Sequence, residues 1–269
     1  MSAPFSMSAS NLVSLPMNER PMPDMYHART GHSLSVENTN VYKQLLETKE
    51  YAAANGMKIN YKKTKVIVFN PCTSIDFMPE IRLEDNELEV VDEVRLLGLI
   101  LRSDLKWTSN TENMVKKANK RLWIIRRLKY LGAKDRDLVD VYMKQIRSLM
   151  EFAVPVWHSG ITIAEQIDIE RIQKSAAHII LGDDYVSYRQ ALIKLGLDPL
   201  LVRREMLCLK FAKKAERHVK FERWFKPTVN TRNTRLQKPK YCSALTRHSR
   251  FRRSPLPYLT EVLNQFYRK

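Results

Sequence analysis

Between Glu112 and Asp135 the chain runs for 22 residues without an acid. Seven cations fall inside that interval within one 14-residue stretch: Lys116, Lys117, Lys120, Arg121, Arg126, Arg127 and Lys129. Met114 or Val115, Ala118, Leu122, Ile125 and Leu128 recur among them at the spacing of one helix face. This pattern predicts an amphipathic helix from Trp107 to Tyr130. Thr108 or Ser109 is its expected cap, Glu112 sits in its first turn, and Gly132 ends it. A solvated helix usually mixes signs, because i,i+4 pairs of opposite charge support it. Cations without carboxylates repel one another and gain most when phosphates lie alongside and release their counterions. The face therefore reads as a nucleic-acid contact, with a generic solubility role as the bland alternative.

The whole chain shares this bias. Its 269 residues carry a formal charge of +17, which points to a polyanionic partner, with an anionic membrane surface as the rival. A hydrophobic fraction of 44% fits a folded protein, and the length suits one large or two ordinary domains. No apolar run reaches 18 residues, so no membrane span is expected. No charged segment followed by an apolar core marks a secretory signal. Cys72, Cys208 and Cys242 lie far apart, which suits a reducing compartment, nuclear or cytoplasmic, and not secretion. Seven glycines and no glycine-rich loop motif argue against a glycine-rich nucleotide fold.

Residues 1–37 are rich in Ser, Met and Pro without a sustained period, and read as a disordered segment. Residues 38–106 form the next section. A helix is expected from Asn38 to Asn55, with Leu45, Leu46, Tyr51 and Ala52 on one face and Gly56 at its end. Val66–Phe69 reads as a buried strand and Leu88-Glu89-Val90 as a half-exposed one. Leu96–Leu101 is a third, with Gly98 marking a bulge or a close backbone approach. The polar turn from Asn60 to Lys65 carries Lys62, Lys63 and Lys65, and is either a phosphate-holding loop or a solvated corner.

Residues 107–220 read as helices. After the cationic one come Asp137–Met150, Ala164–Leu181 and Tyr188–Leu195. A last helix runs from an Asp198 cap, with Pro199 in its first turn, to about His218. Phe152–Trp157, broken by Pro155, reads as a buried connection. Residues 221–269 form a basic, mostly irregular tail. From Arg223 to Thr260 it holds ten Lys and Arg and no acid, and Tyr258–Phe266 is a short terminal helix.

Several stretches also resemble a known family. Gly56-Met57-Lys58-Ile59-Asn60 followed by Lys63-Thr64-Lys65 is similar to the end of the palm of non-LTR, jockey-like (LINE-type) retrotransposon reverse transcriptases. Leu97–Leu101, closing at Ser103-Asp104-Leu105-Lys106-Trp107, resembles the strand pair with which that family steadies the primer end. Arg147–Trp157 and Ile169-Glu170-Arg171-Ile172-Gln173-Lys174 resemble its region after the thumb. Leu96 departs from the pattern, because an aromatic residue is usual there. The resemblance implies an α+β, mostly α fold. A small antiparallel β remnant of a palm would precede a thumb-like helical bundle, with disordered N- and C-terminal segments. It also implies that the helix at 107–130 is a thumb helix lying along RNA or an RNA–DNA duplex. The implied phosphate contacts are Lys62, Lys63, Lys65, Gly98, Lys116, Lys117, Lys120, Arg121, Arg126 and Arg127.

The chemistry of that family is phosphoryl transfer with two Mg²⁺ ions held by aspartates. The slot for those aspartates holds only Asp24 here. The expected role is thus template–primer gripping by a C-terminal piece that does not polymerise alone, with fingers and palm as a possible missing partner. Lys63 is the one candidate for catalytic support, the alternatives being a phosphate contact or a surface lysine. Asp183-Asp184 follows a helix end and reads as a turn, with Asp184 or Ser187 capping the next helix. The six histidines are scattered and make no metal site. Trp107 and Trp157 read as core, and Trp123 stays open between core and base stacking. The competing reading is a non-enzymatic, basic helical protein that binds a protein partner or an anionic surface.

Overall fold

The computed structural model describes residues 40–69, 82–83, 86–228, 239–243 and 249–268. The expected disorder of residues 1–37 lies outside them. The chain divides into two compact units, Met1–Leu105 and Lys106–Lys269. It is mostly helical, with small strand pairs.

In the first unit, helix α1 (Asn40–Ala54) ends at Gly56, whose φ of 67° suits a residue without Cβ. Leu45 and Leu46 of α1 pack with Ile59, Tyr61 and Val66 around the buried Leu88. Tyr51, expected on that face, is exposed instead. Strand β1 is only Lys65–Val66 and pairs in parallel with β4, Glu89–Val90. The strand expected to run on to Phe69 stops early because β4 offers it no longer ladder. β2 (Arg82–Leu83) and β3 (Asn86–Glu87) form an antiparallel pair.

The apolar run 96–101 is not one bulged strand. It is the tip of an antiparallel hairpin, β5 (Glu93–Leu96) and β6 (Leu99–Arg102), with Leu96 paired to Leu99. Leu97 (φ 46°) and Gly98 (φ 92°) are its two turn residues. Positive φ at both positions matches the right-handed twist of the strands. Gly98 is therefore a turn glycine, and the strained residue is Leu97, a bulky side chain in left-handed backbone, 81% exposed at the tip.

The second unit begins with α2 (Thr108–Tyr130), whose N-terminal boundary residue Trp107 makes no side-chain cap, so neither Thr108 nor Ser109 caps it. Glu112 falls in the second turn, not the first. α3 (Asp135–Val141) continues through a wide π turn, Tyr142–Arg147, into α4 (Ser148–Glu151). Ala153 then takes a left-handed φ of 50°, and Pro155 helps start the short α5 (Val154–Trp157). This connection is only half buried. Val154 and Trp157 point inward, while Phe152 and Val156 are exposed.

α6 (Ile163–Leu181) opens with a full capping box between Thr162 and Glu165. α7 (Tyr188–Leu195) is capped by Ser187, and α8 spans Leu200–Glu216. Asp198 does not cap α8. The Leu200 N–H is met instead by Glu170 of α6, at 3.1 Å. α9 (Ser249–Arg252) and α10 (Pro255–Tyr267) close the chain.

α2 packs its apolar stripe chiefly on α6, and α10 packs on α8 and α5. The Trp107 ring lies over Gly160, where an added Cβ would come within 2.5 Å of it. The described residues of the tail are packed more closely than its composition predicts. Leu259 and Leu263 of α10 are buried, and Tyr241 exchanges two 2.9 Å hydrogen bonds with Asn264. Glu216 binds Lys240 at 2.8 Å, Tyr241, and Tyr267 at 2.8 and 2.9 Å, fixing both tail segments to the end of α8.

Candidate nucleic-acid interface

The rotation of α2 sorts its seven cations. Met114, Ala118, Leu122 and Ile125 are buried, so the helix is fixed about its axis. Residues at steps of four and three on the far side then form one exposed row: Lys116, Lys120, Trp123, Arg127 and Tyr130. Trp123 is 63% and Tyr130 81% exposed. The question left open for Trp123 is settled against the core. Arg127 lies 5.5 Å from the Tyr130 ring centroid, a cation–π distance. Lys117 and Arg126 flank the row. None of Lys116, Lys117, Lys120 and Arg126 has an ion-pair partner among the described residues.

Two cations of the set do other work. Arg121, expected among the phosphate contacts, donates to the Gln145 carbonyl at 2.5 Å. Lys129 donates to the Ile180 carbonyl at 2.6 Å and pairs with Asp135 at 3.0 Å. Both cations lie toward the packed side and tie α2 to its neighbours.

In the first unit, Lys62 and Lys63 are exposed on a 3-10 turn, where the Asn60 side chain accepts the Lys63 N–H at 3.2 Å. Lys65, expected among the phosphate contacts, forms a salt bridge with Glu89 across β1 and β4. Gly98 sits at the hairpin tip described above.

Among the described residues, no group of three or more His, Cys, Asp or Glu lies together. They offer the Mg²⁺ ions of the resembled family no ligand set. Asp183 and Asp184 lie on a 3-10 turn, and Asp184 accepts from Lys194 at 2.7 Å. That lysine holds the Asp184 carboxyl below its usual range.

The stretch 169–174 proves structural. Gln173 is fully buried. It accepts from the Tyr142 hydroxyl at 2.6 Å and donates to Tyr188 at 3.0 Å and the Asp198 carbonyl at 2.9 Å. Tyr188 in turn donates to Glu170. Burial holds the Tyr142 phenol well above its ordinary value. No sequence period announces this network, because its members come from three separate helical segments and the loop before α8.

A second buried group is shifted the other way, away from neutral pH toward acid. His158 packs edge-on against Tyr258 at 5.6 Å between ring centroids. Burial and the Arg204 guanidinium lower its pKa from 6.5 to about 4. Between those values the unfolded chain binds a proton that the folded chain does not, so stability falls as pH falls. The expected loss by pH 4 is about 3 kcal/mol. The thermal midpoint of His158→Phe, followed from pH 7 to pH 4, should decline less steeply than that of the parent. Parallel declines would remove His158 from the explanation.

Compared with known protein families, curated proteins and solved structures, the chain matches none.

Proposed function

We propose that this chain binds RNA and RNA–DNA duplexes by gripping their phosphates, as the thumb-bearing C-terminal part of a non-LTR reverse transcriptase would, without polymerising alone. One observation carries the reading: the exposed row on α2, where three cations share a face with two aromatic rings and pair with no carboxylate among the described residues. Phosphates supply the missing counter-charge, and the rings offer faces to bases or sugars. The resemblance of the segments at 56–65, 97–107, 147–157 and 169–174 to that family supports the same direction.

The test is fluorescence anisotropy of a labelled RNA–DNA hybrid against salt, with primer extension on the same sample. Contacts from Lys116, Lys117, Lys120, Arg126 and Arg127 should give a log K versus log salt slope of about −4.5. Sequence preference should be small, because phosphate contacts carry none. A salt-insensitive curve overturns the reading, and extension with Mg²⁺ overturns the claim that the chain does not polymerise alone.

A rival reading is a helical interaction protein, favoured by exposed apolar side chains such as Ile163, Val186 and Ile193, each at least 76% exposed. Purification free of nucleic acid, in a stable complex with another protein, would choose it.

A further inference from the structure

Beside the C-terminal helix lies a cavity of about 330 Å³ with polar walls. We infer that it is a ribose-phosphate site that favours RNA over DNA, a refinement that rests on the nucleic-acid reading above.

One wall is a single face of α10, carrying Pro257, Glu261 and Gln265, with Arg268 just past its C-terminal end. Arg252, at the end of α9, and Ser243 complete it. The wall is held in place by the paired hydrogen bonds between Asn264 and the Tyr241 backbone, two residues before Ser243. The cavity is therefore built by tertiary contacts of the tail.

Arg252 and Arg268 are exposed, and neither has an ion-pair partner among the described residues. Two guanidiniums lining one cavity suit a phosphate, whose oxygens accept their paired N–H groups. Glu261 lines the same space and is likewise unpaired. A carboxylate there repels a bare phosphate. It is matched by a ligand that brings a hydroxyl donor next to its phosphate, which ribose does with its 2′-hydroxyl and deoxyribose does not. Pro257 gives the sugar an apolar surface, while Ser243 and Gln265 add neutral polar groups. The volume sits at the lower end of small-molecule sites, about 300 Å³, which suits one nucleotide unit of a strand.

The experiment compares labelled single-stranded RNA and DNA of one sequence by anisotropy at fixed salt. The parent should prefer RNA by about tenfold, the worth of one hydrogen bond to a charged group. Glu261→Gln should bring that ratio close to one, partly by strengthening DNA. Arg252→Ala with Arg268→Ala should weaken RNA about tenfold or more and also erase the preference. All three side chains are exposed, so circular dichroism should not change. A charge reversal on α2 (Lys116→Glu, Lys120→Glu, Arg127→Glu) should weaken both strands and leave the ratio intact.

Salt-dependent binding without an RNA preference, or a preference that survives Glu261→Gln, overturns the site and spares the α2 reading. Loss of preference in millimolar inorganic phosphate at constant ionic strength assigns the cavity to a free phosphate and also overturns it. Absence of any nucleic-acid binding overturns both.

Discussion

Reversing Lys116, Lys120 and Arg127 together to glutamate should lower the affinity for an RNA–DNA hybrid by nearly three decades at 0.1 M salt. The figure follows from counterion release. Each phosphate contact contributes about 0.9 to the slope of log K against log salt, hence about 0.9 decade at 0.1 M relative to 1 M. Three lost contacts remove close to three decades, and the slope itself should fall by about the same number. New repulsion from the carboxylates adds to this. The helix should persist, because the three side chains are exposed and Lys116 and Lys120 make no bond within the protein.

The control is a reversal with the same change in net charge at exposed cations elsewhere in the second unit, Lys174, Arg189 and Lys220. If the charge of +17 acts only as a diffuse field, both triple variants lose affinity alike. If the α2 row is the contact, the control loses far less. Equal losses, measured by anisotropy across a salt series, would reject the row as the interface.

What the sequence revealed and what it hid divide along one line, the separation of the partners. The 3–4 spacing of Met114, Ala118, Leu122 and Ile125 is local, so α2 and its buried face were legible. The same holds for α7, where Ser187 and Gly196 bracket the helix within a few residues. The duties of Arg121 and Lys129 were hidden, since their acceptors lie 24 and 51 residues away. The cap of α8 was misread for the same reason. A local Asp198 looked sufficient, but the acceptor that meets the Leu200 N–H is Glu170, 30 residues earlier.

The hairpin at Leu97-Gly98 misled in another way. Its strands are continuous in hydrophobicity across the turn, so no polar break marks the reversal. The tail was judged by its missing acids, and the acid that holds it, Glu216, stands outside the acid-free run, at the end of α8. Composition describes an average over a segment, whereas the anchoring of a segment can depend on one residue outside it.

The buried Gln173 makes the sharpest test of the second unit. Gln173→Leu preserves volume and removes three hydrogen bonds at once. The Tyr142 hydroxyl then has no acceptor, and its side chain is fully buried, so water cannot replace the amide. The Asp198 carbonyl loses a donor, while Tyr188 keeps Glu170. Orphaned buried groups cost about 1–3 kcal/mol each, so a loss of about 3 kcal/mol is expected. In a unit of this size the thermal midpoint should drop by about 6–12 °C. Tyr142→Phe alone should cost less, since it leaves only the Gln173 oxygen unmatched. Added to Gln173→Leu, it should return about 1 kcal/mol, because both ends of the broken bond are then apolar. That sign, a second deletion that stabilises, separates a hydrogen-bonded network from simple packing. Strict additivity in the double-mutant cycle would show that Tyr142 and Gln173 are not coupled. Nucleic-acid affinity measured below the lowered midpoint should not move, since the row on α2 is untouched.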